Sequence, residues 1–320
     1  MSLTKQVRAV LDSRAVDVSM YDDVKLWNDK VIGEIFPEAN SRCFQGAWYR
    51  KVVSSEDKWL GIEGVIELGE FTPDQKRFNL DGKGRYMDNP SIYMGGKSLF
   101  ESDAGLGLNT SHLKYDENLD LTISSPKIAY RPFWRYIYNK ALDINGNVER
   151  QEVNSWNISE GDSLMYYYFP GDIIRMKIYS PLKNYLQLRI ELVKPTTIKK
   201  YVAIREKYNL KDNIPSDFYS PIFISEGHGE HSAEFKRVNS IDQYGNEGFV
   251  AKDTDATVSK AIWHETYLYR RIEGEIFKVP FSKERQNSFI CPNDKAISVL
   301  DISNEKGAEA IVIHPGHIYK

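Results

Sequence analysis

Two cysteines in 320 residues, Cys43 and Cys291, are too few for a disulfide framework, and the sequence leaves open whether they pair. No run approaches the ~20 apolar residues needed to cross a bilayer. Residues 1–23 are polar, with Lys5, Arg8, Asp12, Arg14, Asp17, Asp22 and Asp23, and lack the apolar stretch of a secretion signal. A cytoplasmic protein without membrane contact is the default expectation. Neither sign of charge prevails: 42 basic against 45 acidic side chains leave −3, so no overall field draws nucleic acid.

Catalytic signatures are equally scarce. The stretch Asp103-Ala-Gly105-Leu-Gly107-Leu-Asn109 has glycines but no following Lys-Ser/Thr, so it is not a phosphate loop. There is no G-x-S-x-G nucleophile elbow. The Glu-aliphatic-Asp-x-x-Glu strand of many jelly-roll glycosidases is missing. Alternating βα units are absent too, which argues against Rossmann and barrel folds, and no internal repeat or low-complexity tract is visible.

What the chain has is aromatic side chains and period-two patterning. Tyr, Phe and Trp make up 12% of it, and such rings favour pleated, half-buried surfaces. In residues 60–68, Leu60, Ile62, Ile66 and Leu68 share one face, while Glu63 and Glu67 take the other and read as a wet side. Leu119, Leu121 and Ile123 alternate likewise, as do Ile174, Met176 and Ile178 against Arg175 and Lys177. In residues 186–192, Leu188 and Ile190 are expected in the core and Gln187 and Arg189 in solvent. Asn145-Gly146 signals a hairpin.

The expectation is a mainly β protein, an antiparallel β-sandwich of jelly-roll or lectin-like kind with short N-terminal helices at residues 4–13 and 21–36. Three segments follow: a helical 1–40, a sandwich core 41–195, and a β-rich 196–320 packed on or completing the same sandwich. Between the last two, prolines flank a basic run at 197–208 that fits a helix or a linker equally well.

The most suggestive candidate site is an aromatic face. Alternation puts Tyr130, Trp134, Tyr136 and Tyr138 on one side of a strand, with Arg131, Phe133, Arg135 and Ile137 on the other. Trp156, Tyr166 and Tyr168 extend it, and rings of this kind stack on sugars. The expected ligand-binding residues are thus Trp134, Tyr136, Tyr138, Trp156, Tyr166 and Tyr168, in a glycan- or small-ligand-binding protein. Alternatives are a carbohydrate-active hydrolase or lyase of jelly-roll type, and a structural or assembly protein with aromatic subunit interfaces. A homo-oligomer is compatible with all three. The same aromatic face read as core, shared by two packed sheets, is the plainer alternative.

Metal signals are thin. Glu226-Gly-His228-Gly-Glu230-His231 combines imidazole and carboxylate, so His228 and His231 are the zinc candidates. The oxygen-rich turns at 143–149 and 242–247 suit calcium, although hairpin turns favour the same residues. No cofactor is required by any motif.

Overall fold

A computed structural model describes residues 10–11, 16–28, 33–36, 43–109, 129–142, 148–155, 167–207 and 217–316. The chain begins with β1 (Val10–Leu11), β2 (Lys25–Leu26), β3 (Ala47–Ser54), β4 (Gly61–Glu67) and β5 (Phe71–Thr72). A run of four strands follows: β6 (Asp88–Lys97), β7 (Glu101–Asn109), β8 (Ala129–Leu142) and β9 (Val148–Ser155). Next come β10 (Ile173–Tyr179), β11 (Tyr185–Lys194) and the helix α1 (Lys199–Lys207). The remainder holds β12 (Phe218–Tyr219), β13 (Ile222–Ile224), β14 (Glu234–Gln243) and β15 (Thr257–Ile272). It closes with β16 (Glu275–Pro280), β17 (Gln286–Cys291), β18 (Ile297–Ser303) and β19 (Ala308–Ile313).

These strands form an antiparallel β-sandwich. A 7-stranded sheet runs β17-β3-β14-β6-β7-β8-β9, and a 12-stranded sheet is built around β11-β10-β4-β15-β16. Among the described strands, only the short β2–β16 pairing is parallel. The inner faces meet in one apolar core. Trp48, Ile92, Met94, Leu106 and Trp134 come from the smaller sheet, and Ile62, Ile66, Met176, Leu188, Ile190 and Trp263 from the larger. Period-two alternation is what aims these side chains inward.

Several expectations change here. Where two helices were expected before residue 40, the described residues form β1, β2 and a single 3-10 turn at Ser19–Tyr21. Tyr21 explains the reversal: its ring is buried against Tyr179 and Tyr269 on the larger sheet, so contact across the chain outweighs local helical spacing. Helix α1 takes the position left between helix and linker. Leu188 and Ile190 are core as expected. Gln187, however, is 1% exposed and Arg189 is half-buried, because the outer face of the larger sheet is itself covered. Glu63, read as wet, is buried for the same reason. The 119–123 run and the Asn145-Gly146 turn lie outside the described residues, although Leu142 and Val148 on either side of that turn pair.

The aromatic face is corrected most sharply. Its alternation is right and its direction is inward: Trp134 is 5% exposed, Tyr136 3% and Tyr168 0%. Trp134 packs against Phe218, and Tyr130 reaches the Gly69 carbonyl at 3.0 Å. Tyr138 lies within β8, while Trp156 and Tyr166 fall outside the described residues. A face pressed between two sheets offers no platform.

A polar outer face on the seven-stranded sheet

If one face of β8 packs inward, Arg131, Phe133, Arg135 and Ile137 point out. Register extends this outer face across the sheet in rows. One row runs Val53, Lys236, Gly95, Asp103, Arg135; the next runs Phe289, Lys51, Val238, Tyr93, Gly105, Phe133. A third runs Cys291, Tyr49, Ser240, Ser91, Gly107, Arg131, and a fourth carries Asp242 beside Asn89. Gly95 and Gly105 have a packing reason. A Cβ on Gly95 would sit 2.1 Å from the Ser102 carbonyl, and one on Gly105 would lie 2.5 Å from the Cα of Tyr93. The Tyr93 ring meets Phe133 edge-on across that glycine.

The first row holds a charge cluster. Lys236 Nζ lies 2.6 Å from Asp103 Oδ1 and also donates to Glu101, while Arg135 Nε and Nη2 donate to Asp103 Oδ2 at 3.0 and 2.9 Å. Burial alone would raise the Asp103 carboxyl, but Lys236 and Arg135 reverse this and hold it at about 2. Glu101 is lowered chiefly by Lys236.

Asp242 has a different environment. Its Oδ2 accepts from Ser91 Oγ at 2.6 Å and Ser240 Oγ at 3.0 Å, and the two hydroxyls are 2.6 Å apart. Among the described residues no cation pairs with it. Burial raises its pKa, the two serines and the Arg135 charge only partly offset that, and the Asp103 charge raises it further. Beside it, Asn89 Oδ1 is buried without a donor. Tyr93 lies within the field of both Asp103 and Asp242, and burial first, then both charges, hold its phenol neutral. One sheet face therefore holds one carboxyl whose pKa is lowered and one whose pKa is raised. Such a divergence is how acid and base roles are divided between like groups.

Neither carboxyl was singled out from the sequence. Both lie on strands, Asp103 in a glycine-rich run and Asp242 at the start of an oxygen-rich turn. The turn's own polar groups face each other: Asn246 Nδ2 donates to Gln243 Oε1 at 3.1 Å and to the Val250 carbonyl at 2.9 Å.

The histidines are placed elsewhere. His228 is fully buried against Phe235, with Nδ1 2.9 Å from Ser225 Oγ, which in turn lies 2.6 Å from Ser102 Oγ. Burial lowers its pKa to about 4. His231 instead lines a surface cavity of about 600 Å³ with Asp57, Lys58, Arg271, Glu230 and Glu273. No group of three metal-ligating side chains occurs among the described residues, nor is any helix there long and apolar enough to cross a membrane.

No family model and no curated protein matches the chain. Some solved structures are similar in fold. Scytalido-glutamic peptidase with a peptide-based transition-state analogue matches at TM-score 0.44 and 7% identity, over 84% of this chain and 98% of that one. The same peptidase with a transition-state analogue inhibitor gives 0.43 and 6%, with the same coverage. SCP-B, an eqolisin-family peptidase in complex with the tripeptide Ala-Ile-His, gives 0.41 and 9%, again over 84% and 98%. No residue role is carried over from them.

The glycan-binding expectation is overturned, and with it the carbohydrate-active and aromatic-interface alternatives that drew on the same rings. Trp134, Tyr136 and Tyr168 belong to the core.

Proposed function

We propose that the outer face of the seven-stranded sheet hydrolyses amide or ester bonds by acid–base catalysis between two carboxyl groups. The observation that carries this reading is Asp242, a carboxyl held by two serine hydroxyls and no cation, on the same face as the doubly ion-paired Asp103. Asp242 donates a proton to the leaving group. Asp103, fixed by Arg135 and Lys236, orients the attacking water and takes its proton as the new C–O bond forms. Tyr93, a neutral phenol between them, donates a hydrogen bond to the carbonyl oxygen. A proton passed back from Asp103 to Asp242 through solvent restores the resting state.

The test is hydrolysis of a fluorogenic peptide library and of nitrophenyl esters between pH 3 and 8. Asp242→Asn, with its fold intact by circular dichroism, should lose about 10²–10⁴-fold of the rate, the usual worth of a positioned general acid. An unchanged rate, or a wild-type protein inert on both substrate classes, refutes the reading.

The Cys43–Cys291 disulfide bears on location. Such bonds persist in oxidising compartments, so an oxidising compartment replaces the cytoplasmic default in this reading.

A further inference from the structure

The disulfide also lies on the same sheet, at its β17 edge, in the row that holds Tyr49 and Ser240. Cys291 ends β17, and Cys43 begins a four-residue segment leading into β3. Phe44 stacks on Tyr49 with ring centroids 3.7 Å apart and planes 6° from parallel, and its backbone N–H donates to the Tyr49 hydroxyl at 2.8 Å. Tyr49 is the cross-strand neighbour of Ser240, one of the two hydroxyls on Asp242. Gln45 and Gly46 follow the end of β14: the Gly46 carbonyl accepts from Gln243 N–H at 3.0 Å and the Gln45 carbonyl from Gly248 N–H at 3.4 Å. Gly46 has φ of +92°, and a Cβ there would fall 2.2 Å from the Asn246 carbonyl oxygen, so the segment lies hard against the turn after Asp242. Residues 43–46 thus run from the sheet edge past Tyr49 to Ala47, the β3 partner of Asp242. Besides the disulfide, one ring stack and three hydrogen bonds hold them there.

We propose that residues 43–46 form a redox strap: with Cys43 and Cys291 joined, Phe44 is clamped over Tyr49 at the rim of Asp242, and reduction frees the strap and uncovers that carboxyl. The proposal rests on the acid-site reading and names its regulation. A dithiol is the reductant. It supplies two electrons and two protons, the S–S bond breaks to two thiols, and the dithiol closes to its own disulfide. Once freed, Phe44, already 40% exposed, is held only by its ring stack on Tyr49 and one hydrogen bond to the Tyr49 hydroxyl.

The full-length protein tests this in two forms, oxidised, and reduced with dithiothreitol then capped with iodoacetamide. Hydrogen exchange should rise at least tenfold at residues 44–46 and stay unchanged across β6 and β14. Labelling of Asp242 by a water-soluble carbodiimide and an amine should rise several-fold, with Glu63 labelling unchanged. Phe44→Ala with its disulfide intact should raise Asp242 labelling similarly. Loss of protection throughout β6 and β14 would make the bond a staple of the whole fold and overturn the proposal. So would a freed strap with unchanged Asp242 labelling, or a Phe44→Ala variant that labels like wild type. The readout is independent of hydrolysis, so an inert protein whose Asp242 becomes labelled on reduction retains the strap and loses the catalytic reading.

Discussion

The two sheets turn their charged residues to opposite sides of the molecule, and the two outer faces treat buried carboxylates differently. On the larger sheet, Glu63 is surrounded by compensation: Tyr269 donates at 2.6 Å, Lys278 lies at 3.2 Å, Lys177 at 3.5 Å and Arg175 at 3.9 Å. Burial would raise Glu63, and those cations together with the tyrosine bring it below the ordinary range. On the smaller sheet Asp103 is compensated in the same way, by Lys236 and Arg135, but Asp242 has two serine hydroxyls as its direct partners and only the field of Arg135 to add to them. A fold that needs only stability has reason to pair or replace a buried carboxyl. An unpaired one on the same face as a paired one is the pattern expected of an acid site, and that contrast is what the proposed chemistry rests on.

The largest expected effect is loss of Lys236. Lys236→Met strands Asp103 and Glu101 and should cost about 3–5 kcal/mol in denaturant unfolding. A loss below about 1 kcal/mol would mean that the cluster is solvated and its electrostatics weak. Next is His228, whose pH slope must be removed before either face is compared by acid titration. Its pKa falls from 6.5 unfolded to about 4 folded, so stability is present above 6.5 and is lost as pH drops toward 4. His228→Gln should flatten that slope, which amounts to about 3 kcal/mol. Glu63→Gln comes third, at about 2–3 kcal/mol at neutral pH, since Lys177 and Lys278 keep partial access to Glu191 and solvent. The smallest effect has the opposite sign. Asp242 is raised in the folded state, so its ionisation costs stability as pH rises above 3.8. Asp242→Asn should therefore be more stable than wild type at pH 7, with the gap closing as pH falls toward 3.8.

Much of the sandwich was legible in the sequence, because alternation in 60–68, 130–138 and 186–192 leaves each strand one choice of face. Which face is inward was legible only where the other carried charge. In β8 the aromatic side and the Arg131/Arg135 side each looked plausible as surface, and Arg135 reaches Asp103 on the neighbouring β7, a contact no local pattern contains. Glu63 and Gln187 were misread for a related reason. Alternation marks a polar side but is silent on whether loops from elsewhere, here Ser19–Tyr21, will cover it. Asp242 was invisible as an acid because its character comes from what is missing around it. The Cys43–Cys291 pairing, across a separation of 248 residues, depends on β17 joining the edge of β3.

The most direct test is carboxyl NMR titration of the folded protein with Asp242, Asp103 and Glu63 assigned. The account predicts Asp242 above 3.8, with Asp103 at about 2 and Glu63 below 4.5. Titration of Asp242 at or below 3.8 would place it among the compensated carboxylates and contradict the assignment of an acid to this face.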